Sequence, residues 1–253
     1  MSRMQFMNIE IDNVTFDEAL DEIRKLIKAR NNSYVVTPNA DHMIMLQEDE
    51  FFQKVYKEAS LVITDGKPLI WISKFYKTPI KEKISGSDLF PRVCEMAAKE
   101  GYTMYFLGAA EGVAAKAKEN LEKKYEGLNV VGTYSPPYGF EKDEKEIDKI
   151  VGMITEVHPD ILIVGLGAPK QEKFAYTYRD RLNVPISFGL GASIDFEAGN
   201  IKRAPKWMSD IGLEWFYRML KDPGRLVKRY LKDFKIFALA WKYRPKKRKA
   251  ESK

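Results

Sequence analysis

Between residues 33 and 198, short apolar segments alternate with longer amphipathic segments, and this alternation constrains the fold more than any other feature of the chain. Apolar runs at residues 34–36, 61–63 and 161–164, and the mostly apolar segment 184–188, have the length of buried strands. Residues 16–27 instead repeat apolar side chains at helical spacing. Buried strands that alternate with amphipathic helices predict an α/β fold with a largely parallel sheet and right-handed crossovers.

The pattern changes after residue 198. The remaining residues show no strand signal, contain three of the four tryptophans and predict two or three helices with a break near Pro223. Residues 201–253 hold 17 Lys and Arg against 5 Asp and Glu, a net charge of +12, whereas residues 1–200 carry −6. We therefore predict an α/β domain over residues 1–198 and a helical, basic appendage over residues 199–253. This charge segregation indicates a polyanionic partner, either a membrane surface or a nucleic acid.

Cysteine content and hydropathy bear on the cellular compartment of the protein. Cys94 is the single cysteine, so no internal disulfide can form, which fits a reducing compartment. The first residues lack an apolar stretch long enough for a signal peptide. The sequence also lacks a run of about 18 uncharged apolar residues, so we predict no membrane-spanning helix.

Polar residues follow two of the predicted strands at the edge where ligands bind in parallel sheets. Thr37, Asn39 and Asp41 come after residues 34–36, and Asp65 comes after residues 61–63. A carboxylate at the tip of a buried strand is well placed to act as a general base. Each motif taken alone is also typical of a turn or of a helix N-cap.

Glycine-rich turns follow three other predicted strands. Residues 165–172 read GLGAPKQE, residues 188–196 read FGLGASIDF, and residues 106–109 read FLGA. Glycine lets a backbone approach a ligand closely, and a helix that begins after such a turn offers N–H groups to a diphosphate. The turns match neither the dinucleotide fingerprint nor a P-loop. Together they predict a nucleotide pocket whose candidate residues are Gly108, Gly165, Gly167, Gly191 and Asp195.

Other chemistries have little support in the sequence. His42 and His158 are the only histidines, Cys94 lies within a predicted helix, and no cluster has metal-ligand spacing. An Asp-x-Asp motif for a divalent ion is also absent. We therefore expect no metal or other cofactor, so backbone N–H groups, Lys and Arg would stabilise the leaving-group charge.

The whole set of motifs resembles one family, the bacterial WecG/TagA/CpsF glycosyltransferases. The resemblance covers nearly the whole chain, and its most specific part is GLGAPKQE followed by the Arg-Ala-Pro and Gly-Leu-Glu-Trp motifs. The matching residues are 37–39, 64–66, 86–88, 165–172, 188–192, 203–205, Trp207, 212–215 and Arg218.

This resemblance implies a Rossmann-like fold and an inverting, metal-independent transfer of N-acetylmannosamine from its UDP derivative. The implied acceptor is undecaprenyl-diphosphate-linked N-acetylglucosamine, and the implied product is the β-linked disaccharide lipid of wall teichoic acid synthesis. The resemblance also implies a peripheral protein at the cytoplasmic face of the cell membrane, docked through its C-terminal appendage.

The resemblance assigns roles to four residues of the predicted pocket. Asp65 would be the general base that deprotonates a hydroxyl of the acceptor sugar. Thr37 and Asn39 would line the same pocket and position donor or acceptor. Gln171 would contact substrate from the glycine-rich turn.

The resemblance also implies a set of cations around the diphosphate. Arg218 and Arg225, and with them Arg229, would be brought over the pocket by the appendage. Lys83 stands where many members carry Arg, two to three residues before the Gly-Ser-Asp element. Lysine keeps the charge but loses the bidentate geometry of arginine.

The tail agrees with the implied membrane docking. Aromatic and apolar residues such as Trp215 and Phe216, followed by the basic residues 246–249, suit an interfacial segment on anionic lipid. An ordinary helical subdomain with a solubilising end fits the same pattern.

Three alternatives remain open at the level of sequence. The enzyme could use another UDP-sugar, such as UDP-glucose or UDP-N-acetylmannosaminuronic acid. The basic tail could serve a nucleic-acid-binding module, although no known nucleic-acid motif is visible. An NAD-type enzyme could use the same sheet, against which the incomplete glycine fingerprint argues.

We also predict a homo-oligomer. The predicted helices have more apolar surface than we expect one core to bury, on faces that include Met43, Ile44, Leu69 and Ile72.

Overall fold

The computed structural model describes residues 3–205, 208, 213–221 and 223–245, without the side chains of Arg218 and Arg225. A hairpin opens the chain, with β1 at Arg3–Phe6 and β2 at Ile9–Asp12. The main sheet has the strand order β4-β3-β8-β7-β5-β6, and every pair in it is parallel. Its strands are β3 (Ser33–Val36), β4 (Leu61–Val62), β5 (Thr103–Gly108), β6 (Asn129–Tyr134), β7 (Ile161–Gly165) and β8 (Ile186–Gly189). The predicted α/β class is confirmed.

Helices connect these strands and cover both faces of the sheet. The helices are α1 (Phe16–Ala29), α2 (Ala40–Met45), α3 (Glu50–Glu58), α4 (Lys67–Phe75), α5 (Gly86–Glu100), α6 (Val113–Lys124), α7 (Glu144–Val157), α8 (Lys170–Leu182) and α9 (Gly191–Ala198). Local signals set their ends: Thr15 and Glu18 form a capping box at the start of α1, and Gly101 ends α5 with positive φ.

Successive strand residues pack against opposite layers of helices. Val35 and Phe106 belong to the core beneath α1, α5, α6 and α9, whereas Tyr34 and Leu107 pack into the cores on the other face. Cys94 lies within a helix, as predicted, and is buried in α5. Burial on both faces explains why the strands are continuous apolar runs and not alternating ones.

The described C-terminal residues include three helices, of which the last two pack against α2 and α4 of the α/β domain. They are α10 (Glu214–Lys221), α11 (Pro223–Asp233) and α12 (Lys235–Lys242). Ile236 and Ala240 of α12 are buried in the same core as Leu69 and Tyr76. The Tyr76 hydroxyl donates to the carbonyl oxygen of Ala240 at 2.8 Å, which fixes α12 against the end of α4. Whether residues 199–253 form a separate domain stays a prediction.

One premise of the oligomer prediction is wrong. Met43, Ile44, Leu69 and Ile72 are all buried within the single chain, with at most 5% of their surface exposed. The sequence could not show this because the helices that cover α2 and α4 lie more than 150 residues further along the chain: α11 and α12 pack on α2, and α12 packs on α4. The homo-oligomer itself stays a prediction without that support.

Within the described part of the chain, no helix combines the length and apolar character that crossing a membrane requires.

Candidate active site

One cavity of about 650 Å³ opens at the carboxyl ends of β3, β4, β7 and β8. The turns after these four strands converge because parallel strands end at the same edge. Most of the predicted site residues line it: Thr37, Asn39, Asp65, Lys83, Gly165, Gly167, Gln171, Gly191, Asp195 and Arg229. The fold therefore brings these predicted residues together at one cavity, and their roles stay predictions. The structure adds its far wall, made by the appendage.

Asp65 lies in the loop between β4 and α4 with its carboxylate at the cavity wall. Its backbone N–H donates to the carbonyl oxygen of Pro38 at 2.8 Å, which joins the loops after β3 and β4. Asp65 Oδ2 accepts from the N–H of Gly86, in the first turn of α5, at 3.4 Å. Burial, with a smaller contribution from the Glu214 charge, raises the pKa of Asp65 to about 6 against the opposing effect of Lys83. A carboxylate with this pKa is ionised at neutral pH and basic enough to accept a proton.

Thr37 and Asn39 border the same region from the loop after β3. Thr37 is 5% exposed and lies beside Gly86, where an added Cβ would be 3.9 Å from the Thr37 hydroxyl. Asn39 Oδ1 accepts from the backbone N–H of His42 at 3.1 Å. Asn39 thus caps α2 and also lines the cavity, while its role toward substrate stays a prediction.

Lys83 is held near Asp65 by a charged cluster at the start of α5. Its Nζ lies 3.4 Å from Asp88 Oδ2, and Arg203 also pairs with Asp88. These cations and the Ser85 hydroxyl lower the pKa of Asp88 despite its burial. Arg203 belongs to the Arg-Ala-Pro motif, so this motif ties the start of the appendage to α5.

The glycine-rich turns after β7 and β8 form the cavity floor. The N–H groups of Gly167 and Gly191 were expected to be available to a diphosphate. Instead both donate to Gln171 Oε1, at 3.2 and 3.0 Å. This arrangement depends on one side chain of α8, which reaches the turns on both sides of that helix in sequence.

Gly108 lies outside the set of residues that line the cavity. It has φ of +109°, and a Cβ there would lie 2.4 Å from the carbonyl oxygen of Gly165. The glycine is therefore required by the close approach of β5 and β7.

The appendage supplies the wall opposite the glycine turns. Trp215, Tyr230, Phe234 and Phe237 line it with aromatic rings. Trp215 packs edge-on against Tyr230 and Phe234, with ring centroids 5.7 and 6.2 Å apart. The side chains of Arg218 and Arg225, two of the three predicted arginines, lie outside the described residues. So do Trp207 and the basic residues 246–249.

The third arginine, Arg229, pairs with a carboxylate of the α/β domain. Arg229 Nε lies 3.0 Å from Asp41 Oδ2. Asp233 also lines this region, and burial together with the Asp41 charge raises its pKa to about 6. The sequence placed Asp41 in the strand-end motif but gave no sign of its partner, since Arg229 comes from a helix far along the chain.

A parallel sheet with glycine turns and a partly buried carboxylate at its ligand-binding edge is typical of Rossmann-like α/β enzymes. Among the described residues, no three His, Cys, Asp or Glu side chains group as metal ligands. Residues 4–250 match the sequence profile of the glycosyl transferase WecG/TagA/CpsF family, and the chain belongs to that family.

Curated relatives cover most of this chain. A protein of Bacillus spizizenii (strain ATCC 23059 / NRRL B-14472 / W23) is 33% identical over 76% of this chain and 73% of its own length. Proteins of Bacillus subtilis (strain 168) and Staphylococcus aureus (strain MW2) are 29% and 26% identical, over 86% and 93% of this chain and 83% and 91% of their own. All three are named N-acetylglucosaminyldiphosphoundecaprenol N-acetyl-beta-D-mannosaminyltransferase. This similarity favours a glycosyltransferase over a nucleic-acid-binding module or an NAD-type enzyme.

Proposed function

We propose that the protein transfers N-acetylmannosamine from UDP-N-acetylmannosamine to undecaprenyl-diphosphate-linked N-acetylglucosamine, with inversion at the anomeric carbon. The names of its relatives support the acceptor and the sugar. The observation that carries the mechanism is Asp65, a partly buried carboxylate with a raised pKa at the wall of the cavity.

Asp65 accepts the proton of the acceptor hydroxyl as the hydroxyl oxygen attacks the anomeric carbon of the donor. The bond between that carbon and the diphosphate oxygen breaks, and UDP leaves with the bonding electron pair. Attack from the face opposite the leaving group gives the β-linked product from an α-linked donor. Thr37 and Asn39, beside Asp65, orient the reacting sugars.

The leaving diphosphate is stabilised by protein cations without a metal ion. Lys83 lies at the cavity next to Asp65, and Arg229 of α11 lines the appendage wall. We expect Arg218 of α10 and Arg225 of α11 to complete this set of cations. Fixed cations in a partly dehydrated site interact strongly with the charge that develops on the leaving oxygen. Asp195 and the glycine turns border the space left for the nucleotide.

The test is UDP release from UDP-N-acetylmannosamine with a lipid-diphosphate-linked N-acetylglucosamine analogue, with and without EDTA. We expect equal rates in both conditions and a β-linked disaccharide by NMR. UDP-glucose and UDP-N-acetylmannosaminuronic acid serve as competing donors. Turnover that EDTA abolishes would refute the metal-free step, and preference for another donor would refute the sugar assignment.

We further propose that the enzyme docks peripherally on the anionic cytoplasmic face of the cell membrane, where its acceptor resides. An aromatic ridge, formed by Trp71, Phe75, Phe234, Phe237 and Trp241, supports this proposal. Each of these side chains is at least 44% exposed. Exposed apolar patches of this kind mark sites of interaction with proteins or membranes.

The ridge is continuous across the two parts of the chain and is flanked by cations. Phe75 of α4 stacks on Trp241 of α12 with ring centroids 6.4 Å apart. The Arg244 guanidinium lies 3.9 Å from the Trp241 ring centroid. Aromatic rings beside basic groups suit the headgroup region of an anionic bilayer. Because Phe234 and Phe237 also line the cavity, docking through the ridge places the cavity beside the lipid surface.

Phe75→Ser is expected to weaken binding to phosphatidylglycerol-containing vesicles about tenfold, as is Trp241→Ser. Each variant loses an aromatic side chain that would be buried in the lipid headgroup region. Neither residue lines the cavity, so turnover of a soluble substrate is not directly affected. Vesicle co-sedimentation of the full chain measures the effect.

Phe51→Ser is the matched control for these variants. Phe51 is 43% exposed but contacts Tyr176 on the surface of α3 and α8, away from the ridge. If Phe75→Ser and Trp241→Ser bind vesicles as well as Phe51→Ser does, the ridge is not the docking surface. The same holds if all three variants lose vesicle binding to the same extent.

A further inference from the structure

Gln171 holds the two glycine-rich turns of the cavity floor together. Its side chain is 5% exposed, and its Oε1 accepts from the N–H of Gly167 and from the N–H of Gly191. Gly167 follows β7, and Gly191 begins α9 after β8. One amide oxygen therefore sets the spacing between two turns that belong to different strands.

Glu172 fixes the orientation of the Gln171 amide. Its Oε1 accepts from Gln171 Nε2 at 2.7 Å, so the amide has its nitrogen toward Glu172 and its oxygen toward the glycines. Glu172 is 1% exposed, and its Oε2 has no hydrogen-bond partner among the described residues. Burial raises the pKa of Glu172 to about 7. Burial of this carboxyl group with one oxygen unpaired among the described residues costs stability.

The glycines of the turn after β8 make room for this pair. A Cβ at Gly191 would lie 2.7 Å from Gln171 Oε1. A Cβ at Gly189 would lie 3.1 Å from Glu172 Oε1 and 3.2 Å from Gln171 Cγ. The motifs GLGAPKQE and FGLGA are therefore complementary surfaces of one packed unit.

We propose that Gln171 and Glu172 act as a positioning pair, which sets the separation of the turns after β7 and β8 and thereby the shape of the donor subsite. This inference rests on the proposed function, because it assumes that the cavity floor receives the UDP-sugar. Gln171 then acts on the reaction through the two turns and not through direct contact with substrate.

This arrangement needs a side chain at position 171 that both accepts from the glycine N–H groups and donates to position 172. It also needs a side chain at position 172 that accepts. A glutamate at position 171 could still accept from both glycine N–H groups. It would then face Glu172. Repulsion between two adjacent carboxylates in a buried site raises the pKa of one of them, so the pair carries a single negative charge until the pH is high enough to remove the second proton. Protonation of one of them restores the donor, whereas loss of that proton leaves two repelling charges.

The experiment compares Gln171→Glu, Glu172→Gln and the double exchange of both residues in the full-length enzyme. For Gln171→Glu, we expect kcat/KM relative to wild type to be within threefold at pH 6 and to fall about thirtyfold by pH 8.5. Glu172→Gln should stay within about threefold throughout, because its amide oxygen still accepts. At pH 8.5, the double exchange should have a kcat/KM at least tenfold higher than that of Gln171→Glu. The amide at position 172 then donates to the carboxylate at position 171.

Asp180→Asn, an exposed change on the same helix, is the control and should match wild type at every pH. A ratio for Gln171→Glu that does not change with pH would overturn the proposal, as would a double exchange no better than the single variant. Thermal unfolding checks that all variants are folded.

Amide hydrogen exchange separates this proposal from the proposed function. At pH 8.5, the amides of Gly167 and Gly191 should exchange faster in Gln171→Glu than in wild type, and the double exchange should restore protection. Absence of turnover with every UDP-sugar would refute the proposed function alone. Unchanged exchange in Gln171→Glu would refute the positioning pair whatever the substrate.

Discussion

Replacing Asp65 with asparagine is expected to lower kcat about a thousandfold, within the usual contribution of a general base. Asparagine keeps the size of the side chain and can keep the contact with the N–H of Gly86, but it cannot accept a proton from the acceptor hydroxyl. The wild-type rate should rise with pH through about 6, where Asp65 ionises, and stay level above it. Steady-state turnover from pH 5 to 9 measures both effects.

Stability and donor binding provide the controls for this variant. The pKa of Asp65 is higher in the folded chain than the ordinary value of 3.8, so its ionisation costs stability as pH rises from about 4 to 6, and the cost persists above that. Asp65→Asn should therefore raise the unfolding midpoint by a few degrees at pH 7.5 and leave UDP affinity within about threefold. Full turnover in Asp65→Asn would show that another group is the base.

Truncation after Ala198 is expected to lower kcat/KM at least a hundredfold. It removes the cavity wall formed by Trp215, Arg229, Tyr230, Phe234 and Phe237, together with Arg218 and Arg225 of the same helices. The cavity would then lose its aromatic surface and the cations proposed to hold the diphosphate. Turnover with a water-soluble acceptor analogue measures this loss apart from membrane binding.

A chain that ends at Arg244 is the matched control, because it keeps α10–α12 and loses only the last nine residues. It should retain turnover with the water-soluble analogue within about threefold. Because truncation after Ala198 uncovers α2 and α4, circular dichroism and the unfolding midpoint are used to establish that the 1–198 fragment is folded. A folded 1–198 fragment with near-normal turnover would show that the appendage has no part in the chemistry.

The sheet and the location of the site were predictable because their signals are local. The apolar run and the polar residues of residues 34–41 adjoin in sequence, and parallel pairing brings every such strand end to one edge. Asn39 shows how far this reasoning extends. Its residue type fits both a helix cap and a pocket, and the structure assigns it both roles.

Other features depend on contacts that no local pattern reports. Gly108 has the same local sequence signature as the glycines of the cavity, but it is needed where β5 meets Gly165. The N–H groups of Gly167 and Gly191 have partners because a side chain from α8 reaches both turns. Met43 and Leu69 are buried because the appendage returns to cover them.

The sequence by itself determined the α/β class, the edge of the sheet that carries the site, Asp65 as the candidate base and, through its motifs, the family. These follow from hydrophobic periodicity and from residue types at strand ends, which neighbours in the chain control. Tertiary structure alone decided that Asp41 pairs with Arg229, that Gln171 joins two turns, and that α4 and α12 share one aromatic ridge. Each of these joins segments far apart in sequence, and only packing of the whole chain determines which distant side chains meet.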